Sequence, residues 1–178
     1  MSQLNWWLPV YPIASENTMA LHPGLWDRPV QNSSSLFNYQ AWNKTGRWEA
    51  SAQGQQDRRV QSEALEPMNL DPQLRLITEP GGVILFSAAH MHSTVPNTTD
   101  LTRFSVDFRT VDARDTHQGT GAHNIDSEST GTTAVDYLRA SDLAHFADDE
   151  IRRDMERTRT PQYPTPQDIV ARAALRHP

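Results

Sequence analysis

The chain has 178 residues, with 22 acidic and 16 basic side chains and a formal net charge of -6 at pH 7. This length suits one domain with a hydrophobic core and argues against several domains. The acidic balance, without any run of Lys or Arg, removes the general attraction to phosphate on which nucleic-acid binders rely, so nucleic acid is not an expected partner. Because the chain has no cysteine, disulfides and thiolate metal sites are excluded, and any metal would be held by His, Asp or Glu.

The hydrophobic content is low for a self-sufficient domain, at 37% of residues with a mean hydropathy of -0.67. No stretch approaches the roughly 18 to 20 apolar residues that span a bilayer. The first ten residues lack the positively charged region with which a signal peptide begins. We therefore expect a cytoplasmic protein without membrane contact.

The first two thirds of the chain read as strands joined by long loops. Residues 3–11 are aromatic and branched, which predicts a strand buried on both faces. Residues 15–35 are rich in Asn, Pro, Gly and Ser, which is typical of loops. Residues 36–66 are predicted to be irregular, with a short helix near 58–65.

The next strands are better marked. Residues 74–77 and the apolar run 83–86 flank the turn 79–82, which indicates a strand, a turn and a strand. Strict alternation of apolar and polar residues over 103–111 makes that segment the clearest strand of the sequence. Residues 112–134 are rich in Gly, Thr and Ser and are predicted to be coil.

Two short helices are predicted near the C-terminus. Residues 148–159 have mixed charges around Ile151 and Met155. Thr165 and Pro166 form a helix-start signal before the apolar residues 169–175.

The histidines His90 and His92 follow the apolar strand directly. On a continuing strand both side chains project to one side, where they could bind a divalent metal together with a third ligand from elsewhere. The alternative is a pair of loop histidines that hydrogen-bond to the backbone. Asn97 lies in the next turn, and Arg103 on the next strand could clamp a carboxylate with its planar fork. Without further context, the polar side of 103–109 would instead be the solvent face of a half-buried strand.

A wider pattern supplies that context. Residues 82–86, 92–97 and 103–105 resemble the distal half of the phytanoyl-CoA dioxygenase family, whose members depend on Fe(II) and 2-oxoglutarate. In that family an apolar strand leads to the distal iron-binding His, an Asn follows in the turn, and an Arg on the next strand holds the far carboxylate of 2-oxoglutarate. The opening of the chain resembles the strand and turn that precede these motifs in the family, over residues 7–10, 15–19 and 22–24.

The resemblance implies a role for five residues. His92 would be the distal iron ligand, and Arg103 would clamp the 2-oxoglutarate carboxylate. Thr94 and Ser105 would supply hydroxyls beside them, and Trp7 would be an aromatic wall of the pocket. The polar side of the 103–109 strand would then point into the barrel, and the bound iron would activate dioxygen to oxidise a substrate carbon.

The sequence also departs from the family. The family takes its first iron-binding His and its carboxylate from a His-x-Asp motif, and none of the seven histidines is followed two residues later by an acid. In the family that motif precedes the strand matched by residues 3–10. We therefore expect the N-terminal part to be missing, through a misassigned start or a truncation. The chain alone is not expected to hold catalytic iron, and no catalytic side chain is assigned.

The predicted fold is mainly β, a double-stranded β-helix or jelly roll incomplete at its N-terminus, with long loops and short C-terminal helices. Residues 1–111 would form the partial core, and residues 112–178 a coil and helical extension of the same domain. The substrate would be a small molecule of unspecified type. Strand edges left by missing strands would favour self-association.

Two other functions stay open. One is a non-catalytic β-helix module that binds a carboxylate or a partner chain, in keeping with the absent ligands. The other is a cupin-like metalloprotein that uses His90 and His92 together, although Pro96 stands where cupins place an acid.

Overall fold

The computed structural model describes residues 3–44, 62–121 and 126–159. Contacts divide the chain into two compact units, each built from two separate segments. The first unit comprises Met1–Pro29 and Met68–Asn124, and the second comprises Val30–Pro67 and Ile125–Pro178. The division at residue 111 that the sequence suggests stays a prediction.

The first unit contains two small antiparallel sheets. Its strands are β1 (Leu4–Pro9), β2 (Met19–Leu21), β3 (Leu74–Leu76), β4 (Ile84–Ser87), β5 (His92–Thr94) and β6 (Ser105–Thr110). Sheet A has the order β4-β1-β6, and sheet B has the order β3-β2-β5. The expectation of a β-rich fold is confirmed for the described residues.

The core of this unit lies between the two sheets. Trp7 and Phe86 from sheet A pack with Met19 and Leu21 from sheet B, and each is less than a tenth exposed. These aromatic and long aliphatic side chains bury the apolar area that drives the sheets together. The prediction that β1 is buried on both faces is wrong, because burial alternates along the strand and Leu4 is exposed.

The chain crosses from one sheet to the other after β1, β3, β4 and β5. The predicted turn at 79–82 is present, with the Gly82 amide donating to the Glu79 carbonyl at 2.8 Å and Gly81 at a φ of 86°. The strands on either side of it do not pair with each other. Instead β3 pairs with β2, and β4 pairs with β1, so this turn links sheet B to sheet A.

Strand β6 confirms the clearest prediction from the sequence, and its register sets the direction of its side chains. Asp107 lies opposite the core residue Trp7, and Arg109 lies opposite the buried Asn5. Directly opposed residues of an antiparallel pair share one face of the sheet. The polar side chains of β6 therefore lie on the same face as the core residues of β1, and the apolar ones lie on the other face.

The structure corrects the coil prediction for 112–134. A short helix, α2 (Ala113–Gln118), follows β6. The Asp112 carboxylate accepts a hydrogen bond from the Arg114 amide at 2.7 Å, and Gly119, at a φ of 66°, ends the helix. Both are common helix-end devices, an acidic N-cap and a left-handed glycine.

The second unit consists of short helices and isolated bridges. Its α-helices are α1 (Tyr39–Lys44) and α3 (Asp148–Arg159), and the latter matches the predicted helix. The short 3-10 helices are Pro23–Leu25 in the first unit, and Ser34–Leu36 and Ala134–Asp136 in the second. A buried hydrogen bond from the Thr132 hydroxyl to the Asp154 carboxylate, at 2.5 Å, ties α3 to the preceding loop.

The helices predicted near 58–65 and over 169–175 are not confirmed. Of the helix predicted near 58–65, only residues 62–65 are described, and they are not helical, since Ala64 forms an isolated bridge with Asn32. The helix predicted for 169–175 lies outside the described residues. No helix in the described part of the chain has the length and apolar character to cross a membrane.

Candidate functional site

His92 is the first residue of β5 and lies opposite Leu21 of β2, on the core side of sheet B. Its ring packs against the Phe86 ring in a T-shaped arrangement, with centroids 4.8 Å apart. Its Nδ1 lies 2.7 Å from the His90 carbonyl oxygen. Because a carbonyl only accepts, Nδ1 carries the proton in this contact, and a neutral ring keeps its lone pair on Nε2. The side chain is exposed, so Nε2 is suited to act as one metal ligand.

His90 is held differently. Its ring stacks on Trp26, with centroids 4.3 Å apart. Its Nδ1 is buried and makes no hydrogen bond within the part of the chain that the structure describes. The rings of His90 and His92 thus pack on different aromatic residues, which gives no support to a metal shared between them.

His22 is a buried structural histidine. It is 2% exposed, and its Nδ1 lies 2.8 Å from the Leu70 carbonyl while its Nε2 lies 2.9 Å from the Ser93 hydroxyl. Both ring nitrogens are therefore engaged in hydrogen bonds, which leaves no lone pair for a metal.

Arg103 lies just before β6, and its guanidinium is fixed on one side. Its Nη1 donates to the carbonyl oxygens of Asn17 and Thr18, each at 3.1 Å. The guanidinium carbon lies 5.6 Å from the centroid of the buried Trp7 ring. Nε and Nη2 form no hydrogen bond with any described residue, so this edge of the planar fork is open to a carboxylate.

Two asparagines shape the loops that hold Arg103. Buried Asn17 accepts the Ala14 amide at 2.9 Å and donates to the Thr99 hydroxyl at 3.4 Å. Asn97 accepts the Thr99 amide at 3.0 Å and donates to the Leu101 carbonyl at 2.8 Å. Asn97 was recognisable from the sequence as a turn residue. The part played by Asn17 was not, because only the folded loop places it beside Arg103.

Thr94 and Ser105 lie near the residues that the resemblance pairs them with. Thr94 lies opposite Met19, on the same side of β5 as His92. Ser105 begins β6, two residues after Arg103. Neither hydroxyl makes a hydrogen bond within residues 3–44, 62–121 and 126–159.

Two of the candidate residues, Arg103 and His92, contact aromatic side chains of the same core. Arg103 lies against Trp7, and His92 lies against Phe86. In the register of sheet A, Phe86 lies opposite Asn5, two residues from Trp7 on the same face. The structure therefore places the Arg103 guanidinium and the His92 ring beside neighbouring aromatic residues of one core.

A complete iron site is not formed by these residues. Among the described residues, no group of three or more His, Asp or Glu side chains is arranged to hold a metal ion. His92 can supply one ligand, but the described residues do not fit a three-ligand iron centre.

Comparisons of the chain with known protein families, with curated proteins and with solved structures find no match.

Proposed function

We propose that the chain is a 2-oxoglutarate-binding jelly-roll protein of the phytanoyl-CoA dioxygenase type. In this proposal Arg103 holds the far carboxylate of 2-oxoglutarate, and His92 supplies one ligand to Fe(II). Trp7 forms the wall of the pocket, with the hydroxyls of Thr94 and Ser105 nearby. The observation that carries the proposal is the Arg103 guanidinium, half-buried over Trp7, held by two carbonyls on one edge and open on the other.

The strand connectivity supports the jelly-roll part of the proposal. Three strands of sheet A and three of sheet B face each other across one core, and the chain crosses between the sheets after β1, β3, β4 and β5. Antiparallel jelly rolls are built from two facing sheets with crossings of this kind. In this arrangement His92 lies on β5, and Arg103 lies just before β6.

The proposed chemistry divides between protein and metal. Bound iron would supply the activation of dioxygen that the family uses. The residues described here bind and orient a carboxylate, and His92 offers one nitrogen with its tautomer fixed by the His90 carbonyl. Because the described residues do not complete the metal site, no oxidative step is assigned to them.

The direct test is calorimetric titration of the 178-residue chain with 2-oxoglutarate. We expect saturable binding, weakened about tenfold or more by Arg103→Gln, since a charge-assisted hydrogen bond to the carboxylate is lost. Arg75→Gln is the matched control, because Arg75 donates to the Ser15 carbonyl of the same loop at 2.9 Å but lies opposite Ala20 on the other face of sheet B. Absence of binding, or equal binding by the Arg103 variant, would contradict the proposal.

A second function is favoured by the incomplete metal site. The chain would then bind a carboxylate without catalysing a reaction. Anaerobic addition of Fe(II) with 2-oxoglutarate separates the two, because a metal chelate of 2-oxoglutarate gives a visible charge-transfer band. A band that disappears in His92→Ala supports the oxygenase, and binding of 2-oxoglutarate without a band supports the binding module.

A further inference from the structure

The core-facing side of β6 carries two charged residues that the proposed 2-oxoglutarate site does not use. Asp107 lies opposite Trp7, and Arg109 lies opposite Asn5, so both side chains are on the same face of sheet A. Strand β6 contributes no residue to the described core cluster. Both side chains are therefore exposed although they lie on the inner face.

Arg109 is oriented by a buried partner. Its Nε donates to the Asn5 side-chain oxygen at 3.2 Å, and Asn5 is only 4% exposed. Its two terminal nitrogens make no hydrogen bond with the residues described. A guanidinium anchored at Nε presents its terminal edge in a fixed direction, which lowers the entropic cost of binding an anion.

Asp107 has no partner within the described segments, neither a hydrogen bond nor an ion pair. It lies two residues from Arg109 along the strand, about 7 Å at the usual rise of a strand. The two side chains do not form an ion pair with each other. The strand thus presents one fixed positive group and one negative group, each open to a ligand.

Arg109 lies at the level of Asn5 and Phe86, whereas Asp107 lies opposite Trp7, which the Arg103 guanidinium contacts. Asn5 is opposite Arg109 on one side and opposite Phe86 on the other, and the Phe86 ring contacts His92. Arg103 is six residues from Arg109, roughly 20 Å along an extended chain. A ligand carboxylate on Arg109 would therefore lie nearer His92 than Arg103, while the other end of the ligand, on Asp107, would lie on the Trp7 side.

We infer that Asp107 and Arg109 bind a small zwitterion of the amino-acid type, with its carboxylate on Arg109 and its ammonium group on Asp107. Two opposite charges at this spacing complement a molecule that carries both groups, and Asp107 would repel a doubly charged phosphate. This inference rests on the proposed function in one respect, since it treats the zwitterion as the substrate that accompanies 2-oxoglutarate.

The test uses 5-aminovalerate as the probe, because it carries an ammonium and a carboxylate at opposite ends of a flexible chain. The full chain, saturated with 2-oxoglutarate, is titrated and followed by NMR at the Asn5 side-chain amide and at the Arg109 Nε–H. We expect saturable shifts at both groups. Valerate, which lacks the amine, and pentylamine, which lacks the carboxylate, should bind about tenfold more weakly.

Substitutions at Arg109 and Asp107 test the contribution of each charged side chain to binding. Arg109→Gln and Asp107→Asn should each weaken 5-aminovalerate binding about tenfold, whereas Arg109→Lys should weaken it less. Arg75→Gln, on the other sheet, should leave it unchanged. Equal binding of valerate, the absence of shifts at Asn5 and Arg109, or wild-type affinity in the Arg109 and Asp107 variants would overturn the inference.

The same titrations separate this inference from the proposed function. Arg109→Gln should leave 2-oxoglutarate affinity intact, because Arg109 lies opposite Asn5 and not beside Trp7. If 2-oxoglutarate binds and 5-aminovalerate does not, only the inference fails. If 5-aminovalerate binds through Asp107 and Arg109 but 2-oxoglutarate does not bind, the zwitterion site stands and the proposed function fails.

Discussion

Single side chains in this protein are positioned mainly by backbone carbonyls. Arg103 is held by the carbonyls of Asn17 and Thr18, His92 by that of His90, and His22 by that of Leu70. A carbonyl accepts but never donates, so each contact fixes which nitrogen carries a proton and which edge stays open. The chemical capacity of these residues therefore depends on the backbone of the loops that hold them.

Asp112 provides a pH-dependent test at this scale. The Arg114 side chain and amide both donate to its carboxylate, which lowers the pKa of Asp112 below its ordinary value of 3.8. A carboxyl with a lowered folded-state pKa stabilises the fold fully above 3.8, and that stabilisation is lost as the pH falls through the folded-state pKa. A carboxyl titration followed by NMR should give an Asp112 midpoint below 3.8.

Arg114→Gln supplies the control for this titration. The variant removes the side-chain hydrogen bonds to Asp112 but keeps the backbone amide that caps α2. The Asp112 midpoint should move upward without reaching the value of an unfolded chain. A midpoint unchanged by the substitution would show that the Arg114 side chain has no part in the shift.

At the scale of elements, the tight turns of the chain depend on glycines with positive φ. Gly131 has a φ of 83°, and a Cβ built there would lie 3.3 Å from the backbone nitrogens of Tyr39 and Gln40 at the start of α1. Gly81 has a similar φ of 86°, but a Cβ built on it meets no atom within 4 Å. The two positions therefore share the conformational requirement and differ in the space around them.

We expect Gly131→Ala to destabilise the protein by more than Gly81→Ala. Both substitutions force alanine into the left-handed region, at a cost of about 1 kcal/mol, and only the first also presses against the backbone of α1. Urea denaturation followed by circular dichroism would measure the two free energies of unfolding. Equal losses would mean that α1 yields to the added methyl group without cost.

At the scale of the whole molecule, the outward face of sheet A stands out as apolar. Leu85, Val106 and Phe108 are about half exposed, and Phe108 stacks on Trp6 with centroids 5.6 Å apart. A contiguous apolar face of this kind is uncommon on an isolated monomer. It adds a second reason, beside strand edges, for the self-association predicted from the sequence.

This face should bind the dye 8-anilinonaphthalene-1-sulfonate in the native state. The double variant Val106→Ser, Phe108→Ser should reduce the dye fluorescence and the concentration dependence of the sedimentation coefficient, because it removes apolar area from the face. Leu36→Ser, which changes an exposed leucine of the second unit, is the control and should alter neither. Unchanged dye binding in the double variant would place the apolar surface elsewhere.

Local patterns predicted β1, β3, β4, β6 and α3, but not β2 or α1, which lie in segments predicted to be loop or irregular. The strand over β6 was evident because alternation of apolar and polar residues has the period of a strand. The side that faces the core could not be read from that alternation, because its apolar residues point outward and its polar residues lie beside Trp7. The prediction of coil for 112–134 overlooked the Asp112 cap and the Gly119 stop of α2.

By itself the sequence determined the β-rich class, the turn before β4 and the helix at 148–159. These follow from composition, periodicity and side-chain chemistry, which act over a few neighbouring residues. Only the tertiary structure decided that β3 and β4 belong to different sheets, that Arg103 is held by the loop before β2, and that Asn5 orients Arg109. The two hydrogen-bonded contacts join residues about 85 to 105 positions apart in the sequence. The sheet assignment separates two strands that are joined by a single turn. Both depend on which strands pair, and no local sequence pattern specifies that pairing.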